Sequence, residues 1–212
     1  MDYTIKHVTT EQELDAVLAF DKKVFGLPSE RHSPAYSREK WLERMKTHDD
    51  LMLYAESDGE VIGIVFGRIE NSNSITVGPV AVDERFRRHG IARELMLLLE
   101  RRALRHGIRH LGLGAVESAE GFYQKLGYTG TLLVQSEKHS IEELLSLNEK
   151  YPVKSTSVYD GTVNQVFLDL PSPDRELQRR YENTLPGCYT QMVFGKTIKT
   201  EDFIMIRLGR EN

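Results

Sequence analysis

The run Arg87-Arg88-His89-Gly90-Ile91-Ala92 follows an apolar segment, Val80-Ala81-Val82, and opens a stretch with helical periodicity. A pattern Arg-x-x-Gly-x-Ala at a strand-to-helix turn has a direct chemical use. The first N–H groups of a helix lack partners within it and carry the positive end of its dipole. Such a turn therefore attracts an anion such as a pyrophosphate. Gly90 lets the backbone come close to that anion, because a Cβ would occupy the space. Arg87, Arg88 and His89 add further donors. The letters alone are weak evidence, since they arise by chance at many helix starts. The strand before them and the helix after them supply the weight. The same context moves Arg85, Arg87 and Arg88 from a merely solvated basic turn toward phosphate contacts.

About thirty residues on stands Ala119-Glu120-Gly121-Phe122-Tyr123-Gln124-Lys125-Leu126-Gly127-Tyr128. Together with Gly78-Pro79-Val80-Ala81-Val82 and the basic turn, this segment resembles the GNAT superfamily of N-acetyltransferases over residues 3 to 135, in order and spacing. The resemblance implies that Arg87, Arg88, His89, Gly90, Ile91 and Ala92 bind the pyrophosphate of acetyl-CoA. It also implies that a strand splayed at Gly78-Pro79 leaves the N–H groups of Val80, Ala81 and Val82 to the cofactor arm. Tyr123 is placed near the thiol. One departure stands out: where the family often has Asn, this chain has Val116. The resemblance does not extend to the polar contact with the pantetheine arm that such an Asn makes.

Acyl transfer to an amine sets three demands. An alkyl ammonium of pKa near ~10 must lose a proton before it attacks. The thioester oxygen gains charge and needs a preorganised donor. The departing thiolate, of pKa about 8.5, gains from a nearby acid. A bulged strand at Val80–Val82 answers the second demand and Tyr123 the third, against the plain alternative that Tyr123 is core beside Phe122. For the proton acceptor, Glu117 is the choice; Glu70, His32 or a water chain would also serve. Cys188 has no nucleophile motif around it, which favours direct attack in a ternary complex over an acyl-enzyme. His106 and His110 are separated by Gly107, which breaks the helix, so no metal is expected.

These residues need elements to hold them. Residues 3–8 read as a strand, 11–24 as a helix stopped at Gly26-Leu27-Pro28, and 37–47 as a second helix. Leu51–Glu56 and Val61–Ile69 flank the turn signal Asp58-Gly59, and Ile75–Val82 makes a third antiparallel strand. Pro79 removes a ladder donor and Gly78 invites a bulge, so pairing should break there. A helix follows from Ile91 to about His106, then a strand near Arg109–Val116, a helix near Ser118–Leu126 and a strand Tyr128–Val134. Later segments predict a helix over 140–151, a hairpin at Asp160-Gly161, a helix over 174–183, and strands at Tyr189–Ile198 and Phe203–Leu208, either of which closes the sheet. The expected fold class is α/β (α+β): a mixed, mostly antiparallel sheet with splayed central strands flanked by helices, plus a C-terminal α/β extension. Residues 1–135 form the catalytic core. Residues 136–212 complete the sheet or make a subdomain that covers the acceptor end of the cleft or forms a homodimer surface.

Bulk properties narrow the field. Net charge is −4, so no global field favours nucleic acid. One cysteine in 212 residues excludes an internal disulfide and fits a reducing compartment. The N-terminal residues lack a signal-peptide core and no apolar run reaches membrane-spanning length, so a cytoplasmic protein is expected. The leading expectation is an acetyl-CoA-dependent N-acetyltransferase acting on a primary amine of a small molecule or peptide. The competing one is a non-catalytic acyl-CoA-binding sensor or interaction module.

Overall fold

The computed structural model describes residues 2–26 and 37–201. His32 and the segment Phe203–Leu208 lie outside the described residues. The described residues form two compact units, one from residues 2–26, 37–111 and 197–201 and the other from Gly112–Lys196.

In the first unit, strands β1 (Thr4–His7), β2 (Met52–Ser57), β3 (Glu60–Asn71) and β4 (Ser74–Val82) pair antiparallel in sequence order. Asp58 and Gly59 both take positive φ, the geometry a two-residue hairpin turn demands. Helix α1 (Glu11–Phe25) begins with a capping box: the Thr10 hydroxyl accepts from Glu13 N–H, and the Glu13 carboxylate accepts from the Thr9 and Thr10 N–H groups. It ends at Gly26, as the sequence predicts. Helix α2 (Arg38–His48) contributes Trp41, which joins Leu14, Val17 and Phe20 of α1 over Tyr54, Ile64 and Phe66 of the sheet.

Helix α3 (Ile91–Arg105) packs on the other face of β3, and glycines make the room. A Cβ on Gly63 would stand 3.1 Å from the Ile91 side chain, and one on Gly67 would stand 3.2 Å from Leu99. The alternation of β3 thus presents Ile64 and Phe66 to one helical layer and Gly63 and Gly67 to the other. The break expected at Gly78-Pro79 is present. Val77 pairs with Gly67 and Val80 with Val65, so two residues of β4 stand opposite Phe66 alone.

The second unit opens in β5 (His110–Gly114), whose first two residues belong to the first unit. A 3-10 turn (Glu117–Ala119) and the short helix α4 (Glu120–Lys125) follow, then β6 (Thr129–Ser136), α5 (Ile141–Ser146), β7 (Val153–Tyr159), β8 (Val163–Leu168), α6 (Arg175–Thr184) and β9 (Cys188–Thr197). β6 lies between β9 and β8, antiparallel to both, and β7 pairs with the far side of β8. Cys188–Thr197 is therefore the late strand that pairs along the whole of β6. Helix α5 stops well short of Tyr151, because the Asn148 side chain competes for the backbone. Its carbonyl accepts from Tyr151 N–H at 3.0 Å and its amide donates to Tyr151 O at 2.7 Å. The expected boundary at Gln135 falls inside β6. Mostly antiparallel strands flanked by helices give the α/β class that the sequence implies.

Candidate active site

The basic turn grows directly out of β4. Asp83 N–H donates to Ile62 O, and ladder alternation then turns Ala81 N–H toward β3 and the N–H groups of Val80 and Val82 away from it. Of the N–H groups expected to be open for a ligand on this strand, two have that direction and Ala81 does not.

Asp83 is buried, and its carboxylate anchors the turn. It accepts from the Arg85 guanidinium at 3.1 Å through both Nε and Nη2, from Lys23 Nζ at 2.9 Å and from Arg85 N–H at 3.0 Å. The hydrogen bonds from Arg85, then those from Lys23, hold its pKa well below the usual carboxylate range against the opposing effect of burial. Arg85 also pairs with Glu60 at 3.2 Å. This arginine is committed to carboxylates, unlike its neighbours in the run.

A 3-10 turn over Glu84–Phe86 leads to Arg87, which is extended and donates from Nε to Val82 O at 3.3 Å. Arg88 then takes φ 68° and Gly90 φ 84°, so the chain reverses in the left-handed region just before α3. The His89 ring bonds Arg87 O at 2.9 Å. Arg87, Arg88, His89 and Gly90 are all exposed, Ile91 is buried and Ala92 half-buried. Among the described residues, the N–H groups from Arg88 through Arg93 donate to no protein acceptor, and α3 has no side-chain cap. A Cβ built on Gly90 meets nothing within 4 Å. An unobstructed row of orphan donors at a helix N-terminus, beside the exposed Arg87 and Arg88, fits a pyrophosphate.

Tyr123, in the second unit, is buried and sits among aromatic rings. Its centroid lies 5.1 Å from Phe122, 6.0 Å from Tyr128 and 5.9 Å from Phe194 of β9. Burial pushes its pKa up to about 12. At neutral pH the phenol is therefore protonated and able to donate. Glu117 opens the 3-10 turn before α4 with its side chain 77 % exposed, paired with Arg175 Nε at 3.3 Å. Glu120 is buried and accepts from Arg175 Nη2 at 2.5 Å. Glu70 pairs with Arg68 at 2.6 Å at the far end of β3. Val116 is exposed.

Burial, reinforced by Glu182, raises the Cys188 thiol to about 11, which makes it a poor nucleophile at neutral pH. His106 bonds Asp50 at 2.8 Å and His110 bonds Thr197 at 3.0 Å. Among the described residues no helix is long and apolar enough to cross a membrane. Asp83, Lys23 and Arg175 were not singled out by sequence reasoning. Asp83 carries the one local signal, an acid closing an apolar strand before a basic turn; Lys23 and Arg175 reach their partners from 60 and 55 residues away.

Comparison with known proteins agrees with this anatomy. The profile of the Acetyltransferase (GNAT) family matches residues 15–128. An acetyltransferase of Pectobacterium atrosepticum is 32% identical over 106 residues, 48% of this chain and 74% of that protein. A putative acetyltransferase from Pyrococcus horikoshii superposes with TM-score 0.54 at 13% identity, over 94% of this chain and 90% of that one. Naa50 from Arabidopsis thaliana, solved with the bisubstrate analogue CoA-Ac-MVNAL, gives TM-score 0.52 at 14% identity, over 93% of this chain and all of that one (100%). With the family profile spanning both the basic turn and the Tyr123 segment, this chain belongs to the acetyltransferase (GNAT) family and is an acetyl-CoA-dependent acyltransferase.

Proposed function

We propose that the protein is an N-acetyltransferase, acting in the cytoplasm, that moves the acetyl group of acetyl-CoA to a primary amine of a small molecule or peptide. The amine nitrogen attacks the thioester carbonyl, the C–S bond breaks, and the products are the amide and the free thiol of coenzyme A. The nitrogen gives up one proton and the thiolate takes one. No acyl-enzyme forms, in keeping with the buried, weakly acidic Cys188.

The observation that carries this reading is the row of N–H groups from Arg88 through Arg93 with no protein acceptor. It supports pyrophosphate binding by Arg87, Arg88, His89, Gly90, Ile91 and Ala92. The N–H groups of Val80 and Val82, turned away from β3, suit the cofactor arm and the thioester oxygen. Tyr123 is the donor to the departing thiolate. Its pKa of about 12 lies above that of a thiol, about 8.5, so the phenol stabilises the thiolate mainly by a hydrogen bond. Glu117 receives the amine proton, directly or through water, and its exposure suits exchange with solvent. Naa50, a protein of this fold, takes a bisubstrate analogue that carries CoA, which is in line with an amine acceptor.

Calorimetry with acetyl-CoA and thiol release against a panel of amino acids, polyamines, aminoglycosides and short free-N-terminal peptides test the reading. Binding in the micromolar range and amine-dependent thiol release are expected. A protein that ignores acetyl-CoA refutes it. One that binds acetyl-CoA but releases no thiol with any amine is instead an acyl-CoA sensor.

A further inference from the structure

The C-terminal extension reaches back to the segment that carries Tyr123. Helix α4 is six residues long, and Ala119 before it provides no side-chain cap. A helix of that length has little stability of its own and takes its position from tertiary contacts. At its first residue the carboxylate of Glu120 is buried, and Arg175 at the start of α6 holds it, Nη2 to Oε2, at 2.5 Å. The same guanidinium reaches Glu117 in the preceding turn at 3.3 Å through Nε and donates from Nη1 to Gln178 Oε1 at 2.5 Å. Gln178 passes the contact on to Thr190 Oγ1 of β9 at 3.2 Å, and the Thr190 hydroxyl donates to Glu182 Oε1 at 2.6 Å. β9 also supplies Phe194 against the Tyr123 ring. One arginine therefore joins both acidic residues at the head of α4 to the strand on which Tyr123 rests.

We infer that Arg175 is a positioning residue for acetyl transfer: by clamping Glu120 and Glu117 it fixes the helix that presents the Tyr123 hydroxyl. The inference rests on the role proposed above for Tyr123. It assigns the extension a part in turnover that acetyl-CoA binding does not require. Tyr123 follows Glu120 by three residues, one helical turn, so a shift of the clamped end is passed to the phenol with little loss. A displacement on the order of 1 Å is enough to slow a positioned step by about 10-fold or more.

A buried carboxylate needs a partner whatever its function, so the experiment has to separate charge balance from positioning. The variants are Arg175→Met, Arg175→Lys and the double variant Glu120→Met with Arg175→Met, each made in the full chain with Tyr123 and with Tyr123→Phe. Thiol release is read with saturating acetyl-CoA and the fastest amine of the panel, or with water as acceptor if no amine reacts. In the Tyr123 background, Arg175→Met and the double variant should lose about 10-fold in kcat with the KM for acetyl-CoA within about 2-fold of wild type. Arg175→Lys should recover part of the loss. In the Tyr123→Phe background the Arg175 substitutions should cost at least about 3-fold less than in the Tyr123 background, because the group positioned through Glu120 is gone while the Glu117 contact is lost in both. The double variant buries no unpaired charge and decides the matter if Arg175→Met does not fold. A double variant at wild-type rate, or equal losses in both backgrounds, overturns the inference and leaves the Tyr123 role standing. A Tyr123→Phe protein at wild-type rate instead sinks that role and this inference with it.

Discussion

Asp83 shows how one side chain readies the site without being part of it. Its carboxylate gathers Lys23 from α1 and Arg85 from the turn, and so sets the direction in which the chain leaves β4 toward Arg87. The folded pKa lies below the ~3.9 of a free Asp, which fixes the sign of its effect on stability. The contribution is complete above the unfolded value and drains away as pH falls toward and through the folded one. Glu13 acts with the same sign: burial alone would raise it, but the Thr9 and Tyr54 donors bring it to about 2. Asp83→Asn should therefore lower the urea midpoint at about pH 7 and flatten its decline between about pH 5 and pH 3, relative to wild type. Parallel acid limbs for the two proteins would mean that Asp83 is not coupled to folding. Tyr123 makes the second residue-scale prediction. Tyr123→Phe removes one oxygen from a packed aromatic cluster, so folding should persist while kcat falls by about 10²-fold at unchanged acetyl-CoA affinity. Single-turnover thiol release reads the chemical step, and a wild-type rate there would return Tyr123 to the core.

At the scale of elements, the placement of α3 depends on what β3 lacks. Gly63 and Gly67 leave the sheet surface bare where the helix comes down, and the first contact is Ile91, which begins the helix behind the basic turn. A methyl group at residue 63 would stand 3.1 Å from Ile91 Cγ2 and 3.3 Å from both Ala81 O and Val82 Cγ2. The push falls on β4 and on the helix start together, the two elements that frame the turn. Gly63→Ala should cost about 1–3 kcal/mol of stability, the usual scale for overpacking, and weaken acetyl-CoA binding measured by calorimetry. Unchanged affinity in a destabilised protein would separate the packing of α3 from the geometry of the turn. Much of this layer was legible beforehand, because period and punctuation are local signals. The Asp58-Gly59 hairpin, the bulge at Gly78-Pro79 and the start of α3 at Ile91 all follow from residue types in short windows. The end of α5 was not legible, since the Asn148 to Tyr151 exchange is a competition that helical periodicity cannot register. Nor was the Arg175 clamp, whose partners are separated by loop lengths that no spacing rule constrains. Within the turn, Arg85 and Arg87 look alike in sequence. Only the folded positions of Asp83 and Glu60 tell the scaffold arginine from the exposed one.

For the molecule as a whole, the central question is what residues 136–212 contribute. As sequence they resemble an appendage following a finished family core. In the fold, β6 is flanked by β9 on one side and β8 on the other, and both strands come from this region. A chain cut after Gln135 would leave a strand rich in buried side chains, among them Leu132, Leu133 and Val134, with both edges open. Such a strand is a template for aggregation. It would also strip Tyr123 of Phe194 and leave Glu120 as a buried carboxylate without Arg175. Residues 136–196 thus supply buried side chains to the second unit's core, more than a purely covering role would ask of them. Strand β7 is the exception: it is exposed along its whole length and, among the described residues, pairs with β8 alone. Removal of residues 136–212 should therefore yield insoluble protein, or protein without slow-exchanging amides in β6 if it stays in solution. A truncated chain that remains soluble, protects β6 and turns over the same amine at the wild-type rate would show the core complete without the extension.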